Sequence, residues 1–294
     1  MIVNIILVLI VLVNGIFAIK FIQDFVANRG EAKKEPGNPI AMAISTFIMF
    51  LLSTFGISDF AIGTVLYSKL KWTNAKILPG TLNTQCVIPV AVMALAYISS
   101  IDVDLATLII AILAQVLGAY IGPRYVVKMN VNLIKKFISA GLLIAAALIL
   151  MGKVGIYPSG GEATGLTGFK LVLLGVLSFA YGALNNVGIG SYALTMATVY
   201  ALGLNPGVSF PIMMGACTFS VPIGSMQFIK FKSYSRKITL FAAIFGSMGV
   251  LVAVFIVKSM DVAMLQWVVA AVLIYSSITM IMDIIKAKKD NVEA

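Results

Sequence analysis

Residues 2–19 contain no charged side chain, and long apolar stretches keep returning after them. They lie at about 40–57, 59–70, 77–100, 105–123 and 137–151, then at 169–187, 191–202, 207–229, 238–257 and 262–285. A helix needs roughly 20 apolar residues to cross the ~30 Å hydrocarbon core of a bilayer, and most of these runs approach that length. A soluble globule could not hide them, because it needs a polar skin. The 294 residues are 61% apolar and 11% charged, where an ordinary domain has about 25% charged. Soluble enzymes, nucleic-acid binders, disordered tails and disulfide scaffolds are excluded. The fold class is all-α: a polytopic protein whose constant partner is the lipid bilayer.

The net charge of +10 would suggest nucleic acid in a soluble chain. Here positive-inside topology accounts for it, and no nucleic-acid partner is expected. There is no histidine, and the two cysteines, Cys86 and Cys217, lie 131 positions apart in apolar segments. They read as small buried residues. No CxxC, HExxH or Cys/His cluster occurs, so neither a metal site nor a cofactor is expected. Intramembrane aspartyl proteolysis needs two acids, and the interior offers one, Asp59. The protein is not read as an enzyme.

The first run ends at Lys20 with no basic segment before it and no small-x-small cleavage site after it, which favours a retained span over a signal peptide. A polar loop follows at 29–39. The division is an N-terminal transmembrane helix over 1–28, a first transmembrane repeat over 40–151 and a second over 169–286. Two segments are short. At 1.5 Å per residue, 59–70 and 191–202 each reach roughly 18 Å. Each follows a Gly break, FGISD at 55–59 and NVGIGS at 186–191, and each precedes a turn and then a proline, Pro79 or Pro211. An offset of 132 places Gly56, Ile57, Ala61, Leu70 and Pro79 on Gly188, Ile189, Ala193, Leu202 and Pro211. An offset of 131 places Met129-Asn130-Val131 on Met260-Asp261-Val262.

Charge orients the repeat. The loop at 69–76 has Lys69, Lys71 and Lys76, and its partner at 202–208 has no charge. The loop at 124–136 has Arg124, Lys128, Lys135 and Lys136, against Lys258 and Asp261 in its partner. Conversely, 101–104 has Asp102 and Asp104 where 230–237 has Lys230, Lys232, Arg236 and Lys237. Equivalent loops of opposite character lie on opposite membrane sides. The expected fold is therefore two inverted repeats of five segments each, with a short helix after a Gly break in each, plus one extra N-terminal span. The N-terminus is expected outside and the C-terminus in the cytoplasm. Of 21 basic residues, 18 then fall inside; Lys153, Lys170 and Lys258 do not. Whether each short segment spans or turns back stays open, since either choice ends on the same side.

Inverted repeats with broken helices are the plan of secondary transporters, with substrate held at the repeat interface. A broken helix frees backbone groups that hydrocarbon cannot satisfy. Helix N-termini carry partial positive charge and free N–H donors, so an interior without Lys or Arg still suits a small anion. The candidate binding residues are Gly56, Ser58, Asp59, Asn83, Thr84, Asn185, Asn186, Gly188, Gly190 and Ser191. Gln85 and Thr218 are further uncharged polar groups nearby, and Gln115 reads as a helix–helix contact. Asp59 has two readings: a cap of the short helix, as Ser191 would be in the other half, or a proton carrier.

The order of break (GISDF; NNVGIGSY), short helix (ending LKW; LGL), asparagine and Pro-containing helix (TNAKILPGTLNT; NPGVSFPIMMGACT) resembles the TauE/SafE family, the sulfite exporters. The resemblance covers about 40–285 and is nearest over 190–222, with the first helix as an addition to it. In the first half Ser58-Asp59 stands where the family pattern has further glycines. The resemblance implies a secondary transporter or facilitator of sulfur-containing anions, sulfite or sulfonates, working outward. The competing readings are a drug/metabolite-type exporter, which also has five-plus-five inverted repeats, and a non-transporting membrane assembly subunit. The short segments argue against the first. Against the second, no loop exceeds about 17 residues, too few for a docking domain. Oligomeric state is not legible.

Overall fold

The computed structural model describes residues 2–55, 58–98, 103–130, 133, 151, 161–188 and 190–257. Gly56, the loop residues Asp102, Lys135 and Lys136, the last segment of each repeat and the C-terminal tail lie outside the described residues. Among the described residues the chain is helical, apart from one isolated parallel bridge between Ala163 and Leu204. The helices are α1 (Ile2–Ala27), α2 (Arg29–Lys34), α3 (Pro39–Thr54), α4 (Asp59–Lys69), α5 (Leu78–Ile98), α6 (Leu105–Val126), α7 (Gly168–Asn185), α8 (Tyr192–Ala201), α9 (Ser209–Lys230), α10 (Arg236–Phe241) and α11 (Ser247–Val257). A π turn, Ala242–Gly246, joins the last two into one rod. Among the described residues six helical stretches are long and apolar enough to cross a membrane: Asn4–Ala27, Leu78–Ala96, Leu105–Val126, Gly168–Asn185, Ser209–Lys230 and Arg236–Ile256.

The first helix runs past Lys20 to Ala27, because Phe17, Phe21 and Phe25 continue its buried stripe beyond the charge. The segment 29–39, expected as a loop, contains α2. Glu31 in its first turn and Lys33 and Lys34 in its last suit the helix dipole, and Pro36 follows its end. Side-chain caps mark helix starts at the ends of the bundle. Asn38 accepts from Ile40 N and Ala41 N, and Ser235 accepts from Ile238 N. Asp104 Oδ2 accepts from Thr107 N at 2.9 Å and Thr107 Oγ1 at 2.8 Å, which holds its carboxyl below the usual carboxylate range.

Loop contacts define the two ends of the bundle. At one end the 69–76 and 230–237 regions come together with the α2 arm. Ser235 N donates to Thr81 Oγ1, and Lys237 Nζ donates to Gly37 O at 2.6 Å. Gly37 packs on Trp72. The arm is fastened there by charge. Arg236 Nε lies 2.7 Å from Asp24 Oδ2, and Glu35 accepts from Ser235 Oγ, Arg236 N and Lys237 N. The Tyr234 hydroxyl also donates to Asp24, and burial pushes its titration up, keeping it a donor. Arg236, expected as a loop base, is thus a buried one. At the opposite end, Asp104 N donates to Thr164 O, Asn205 N to Ala163 O and Leu166 N to Thr107 Oγ1.

These contacts resolve the short segments. The start of α3 and the end of α4 lie at the same end, so the two helices form a hairpin that turns back inside the bundle. The start of α7 and the end of α8 lie at the other end, where Lys170 Nζ donates to Leu202 O, and form a second hairpin from the opposite direction. Between them α5 and α9, the most enclosed of the six spanning stretches, pack on each other. The α6 helix lies against α7, with Gly118 close to Phe179 O and Gly182 close to Gln115 O. The α10–α11 rod lies against α3, with Gly249 close to Phe47 O. The first helix is anchored to α9 by one polar residue, Asn14, whose Nδ2 reaches Thr218 O at 3.0 Å and Thr218 Oγ1 at 3.1 Å.

Candidate binding site between two opposed hairpins

The two hairpin tips meet. A side chain at Gly190 would stand 2.6 Å from Ser58 Oγ and 3.2 Å from Phe60 Cβ. Beside this contact lies a cavity of about 10 Å³, room for a single water. Its walls come from four elements: Asp59 and Phe60 from α4, Asn185, Gly190, Ser191 and Tyr192 from the second tip, Cys86 and Val90 from α5, and Cys217 and Val221 from α9.

Hydrogen bonds fix the walls. Asn83 Nδ2 donates to Asn185 O at 2.9 Å, tying α5 to the end of α7. Ser53 Oγ donates to Asp59 Oδ1 at 3.4 Å across the first tip. Ser191 Oγ lies 3.2 Å from Cys217 Sγ and accepts weakly from Asn185 Nδ2 at 3.4 Å. Gln115 Nε2 donates to Ser220 Oγ at 3.1 Å, the helix–helix contact expected of it, and also reaches Cys217 Sγ. The Tyr67 hydroxyl donates to Gln85 Oε1 behind α4. Gly188 has φ +93°, a conformation that side chains with a Cβ rarely adopt.

Seven of the ten expected residues belong to the tips or their ties, with one qualification. Ser191 stands at the N-cap position of α8 but makes no side-chain cap bond, because its hydroxyl turns to Cys217 and Asn185. Gly56 lies outside the described residues. The other two face elsewhere. Thr84 Oγ1 pairs with Thr239 Oγ1 at 2.7 Å toward the loop end. Asn186 Nδ2 donates to Gly182 O at 2.8 Å in the α6–α7 seam. The expectation missed Cys86, Cys217, Val90 and Val221. Their signal was present: Cys86 to Cys217 and Val90 to Val221 are each separated by the repeat offset of 131.

A family model described as sulfite exporter TauE/SafE matches residues 1–149, half of the chain. The chain belongs to the TauE/SafE family. The match starts at the first helix, which the motif resemblance had placed outside, and ends before the second hairpin. No curated protein and no solved structure matches the chain. As a TauE/SafE protein with six candidate spans, it is a multi-pass membrane transporter and not an enzyme.

Proposed function

We propose that the protein exports a small sulfur oxyanion, sulfite or a sulfonate, by uniport through the point where the two hairpins meet. The observation that carries this reading is the meeting itself: α4 and α8 begin beside one cavity and leave it toward opposite ends. Helix N-termini supply N–H donors and partial positive charge, which suit an anion where no Lys or Arg lines the wall. The missing side-chain cap on α8 leaves its first N–H groups available to a ligand.

The reading includes an inverted repeat. The offset of 132 pairs Lys71 with Gly203, and both adopt left-handed φ, +54° and +83°, just after the short helices. Trp72 N then bonds Tyr67 O, as Leu204 N bonds Val199 O. We place the basic end, with the 69–76 and 230–237 loops, in the cytoplasm by the positive-inside rule. A negative cell interior then favours anion exit by roughly 2.3 kcal/mol per charge per 100 mV. The described cavity has room for one water, and a sulfur oxyanion has at least four heavy atoms. The tips must separate to admit it, as alternating access requires.

A thermal-shift screen of purified protein against sulfite, sulfate, thiosulfate, sulfonates and carboxylates, at fixed cation, tests the reading. Sulfite or a sulfonate should raise the melting temperature most. A shift with carboxylates alone would contradict it.

A further inference from the structure

The central cavity carries an imbalance that an anion site alone leaves unanswered. Asp59 and Asn185 are each only 2% exposed. Asp59 Oδ2 has no hydrogen-bond partner, and neither has Asn185 Oδ1. Both residues line the same cavity. Both orphan atoms are acceptors, so they cannot satisfy each other while Asp59 is ionised. A water in the cavity could donate to both, yet it would leave the carboxylate charge uncompensated, and a buried unpaired charge is strongly disfavoured. Among the described residues the ion pairs join Arg236 to Asp24 and Glu31, far away at the loop end. The titratable neighbours of Asp59 are Cys86, Cys217, Tyr67 and Tyr192, which bring no positive charge. At each tip one helix ends and another begins, so the partial charges of the helix ends offset one another and leave the full charge of Asp59 without a counter-ion.

We propose that the cavity is a sodium site, with the ion held between Asp59 Oδ2 and Asn185 Oδ1. Its size supports this, since about 10 Å³ admits one water-sized particle. Calcium carries two positive charges and is bound through several carboxylate and carbonyl oxygens, whereas a single carboxylate, Asp59, lines this cavity. A soft metal would want a set of thiolates. Among the described residues no group of three or more His, Cys, Asp or Glu side chains is placed to hold a metal ion. A monovalent hard cation matches the one carboxylate in charge and takes the two orphan oxygens among its ligands. It neutralises Asp59 and so removes the repulsion that an arriving anion would otherwise meet. This purpose rests on the transporter reading; the binding itself does not.

The test is the melting temperature of detergent-purified protein in sodium, potassium and choline chloride at equal ionic strength, compared at each of several pH values, without added oxyanion. Wild type should show a saturable rise with sodium and none with choline. The rise should vanish in Asp59→Asn and in Asn185→Leu, which removes the second oxygen at similar volume. Should Asp59→Asn fail to fold, Asn185→Leu and the ion selectivity of wild type decide. No sodium-specific rise, or one retained in the variants, overturns the site. A stabilisation that follows pH and ignores sodium assigns the position to a proton and also overturns it. Sodium binding without any oxyanion effect would keep the site and refute the transport reading; the reverse result would do the opposite.

Discussion

At Gly190 the room for a side chain is set by the opposite hairpin. A Cβ there would stand 2.6 Å from Ser58 Oγ, closer than van der Waals contact allows. Gly190→Leu should push the tips apart and occupy the space an anion needs. The variant should still unfold in one cooperative transition, at a lower temperature because Phe60 and Tyr192 at the tips belong to the apolar core, and should lose the thermal shift with sulfite. Normal binding in a folded Gly190→Leu protein would assign the glycine to packing alone. The same scale shows why the sequence located the site only in part. Neighbours on a helix point about 100° apart, so of Asn185 and Asn186 one faces the cavity and the other the α6–α7 seam. Asn83 and Thr84 divide likewise. Asn83, Cys86 and Val90 recur at i, i+3 and i+7, a single face. That spacing would have recovered Cys86, had the cysteines not been read singly as small buried residues.

At the level of elements, the hairpins were visible as breaks, short segments and prolines, but their direction was not. Charge fixes the side on which a loop lies, and a spanning segment and a returning one can satisfy the same charges. Packing decided it, through contacts such as Lys170 to Leu202 and Gly37 to Trp72 that join residues far apart in sequence. The arm at 24–37 was less legible. Its charges suggested a solvated loop, whereas Asp24 and Glu35 are spent on the start of α10. Removing the guanidinium leaves Asp24 without its ion pair. Arg236→Met should lower stability by about 2–3 kcal/mol, less than for a pair wholly shut off from water. Thermal unfolding of the two proteins measures this, and the double variant Asp24→Asn/Arg236→Met should recover part of the loss. A melting temperature unchanged in Arg236→Met would show that the arm is merely laid against the bundle.

For the whole molecule, composition sufficed for an all-helical membrane protein, and loop charge for the grouping of its basic loops. The structure brings the two basic loops, 69–76 and 230–237, to one end, as the charge pattern required. Single cysteines placed in these loops of a Cys-free protein should both resist an impermeant reagent in intact cells and both react in inverted vesicles. Labelling of one loop from each side would break the orientation. The central claim is that the meeting of the hairpins passes an anion outward. The most direct measurement is sulfite efflux from loaded proteoliposomes under an imposed potential. Efflux should exceed that of protein-free vesicles and accelerate when the loaded side is made negative, by the roughly 2.3 kcal/mol per charge per 100 mV that the potential supplies. Efflux no faster than from protein-free vesicles, or efflux indifferent to the potential, would contradict an anion uniporter.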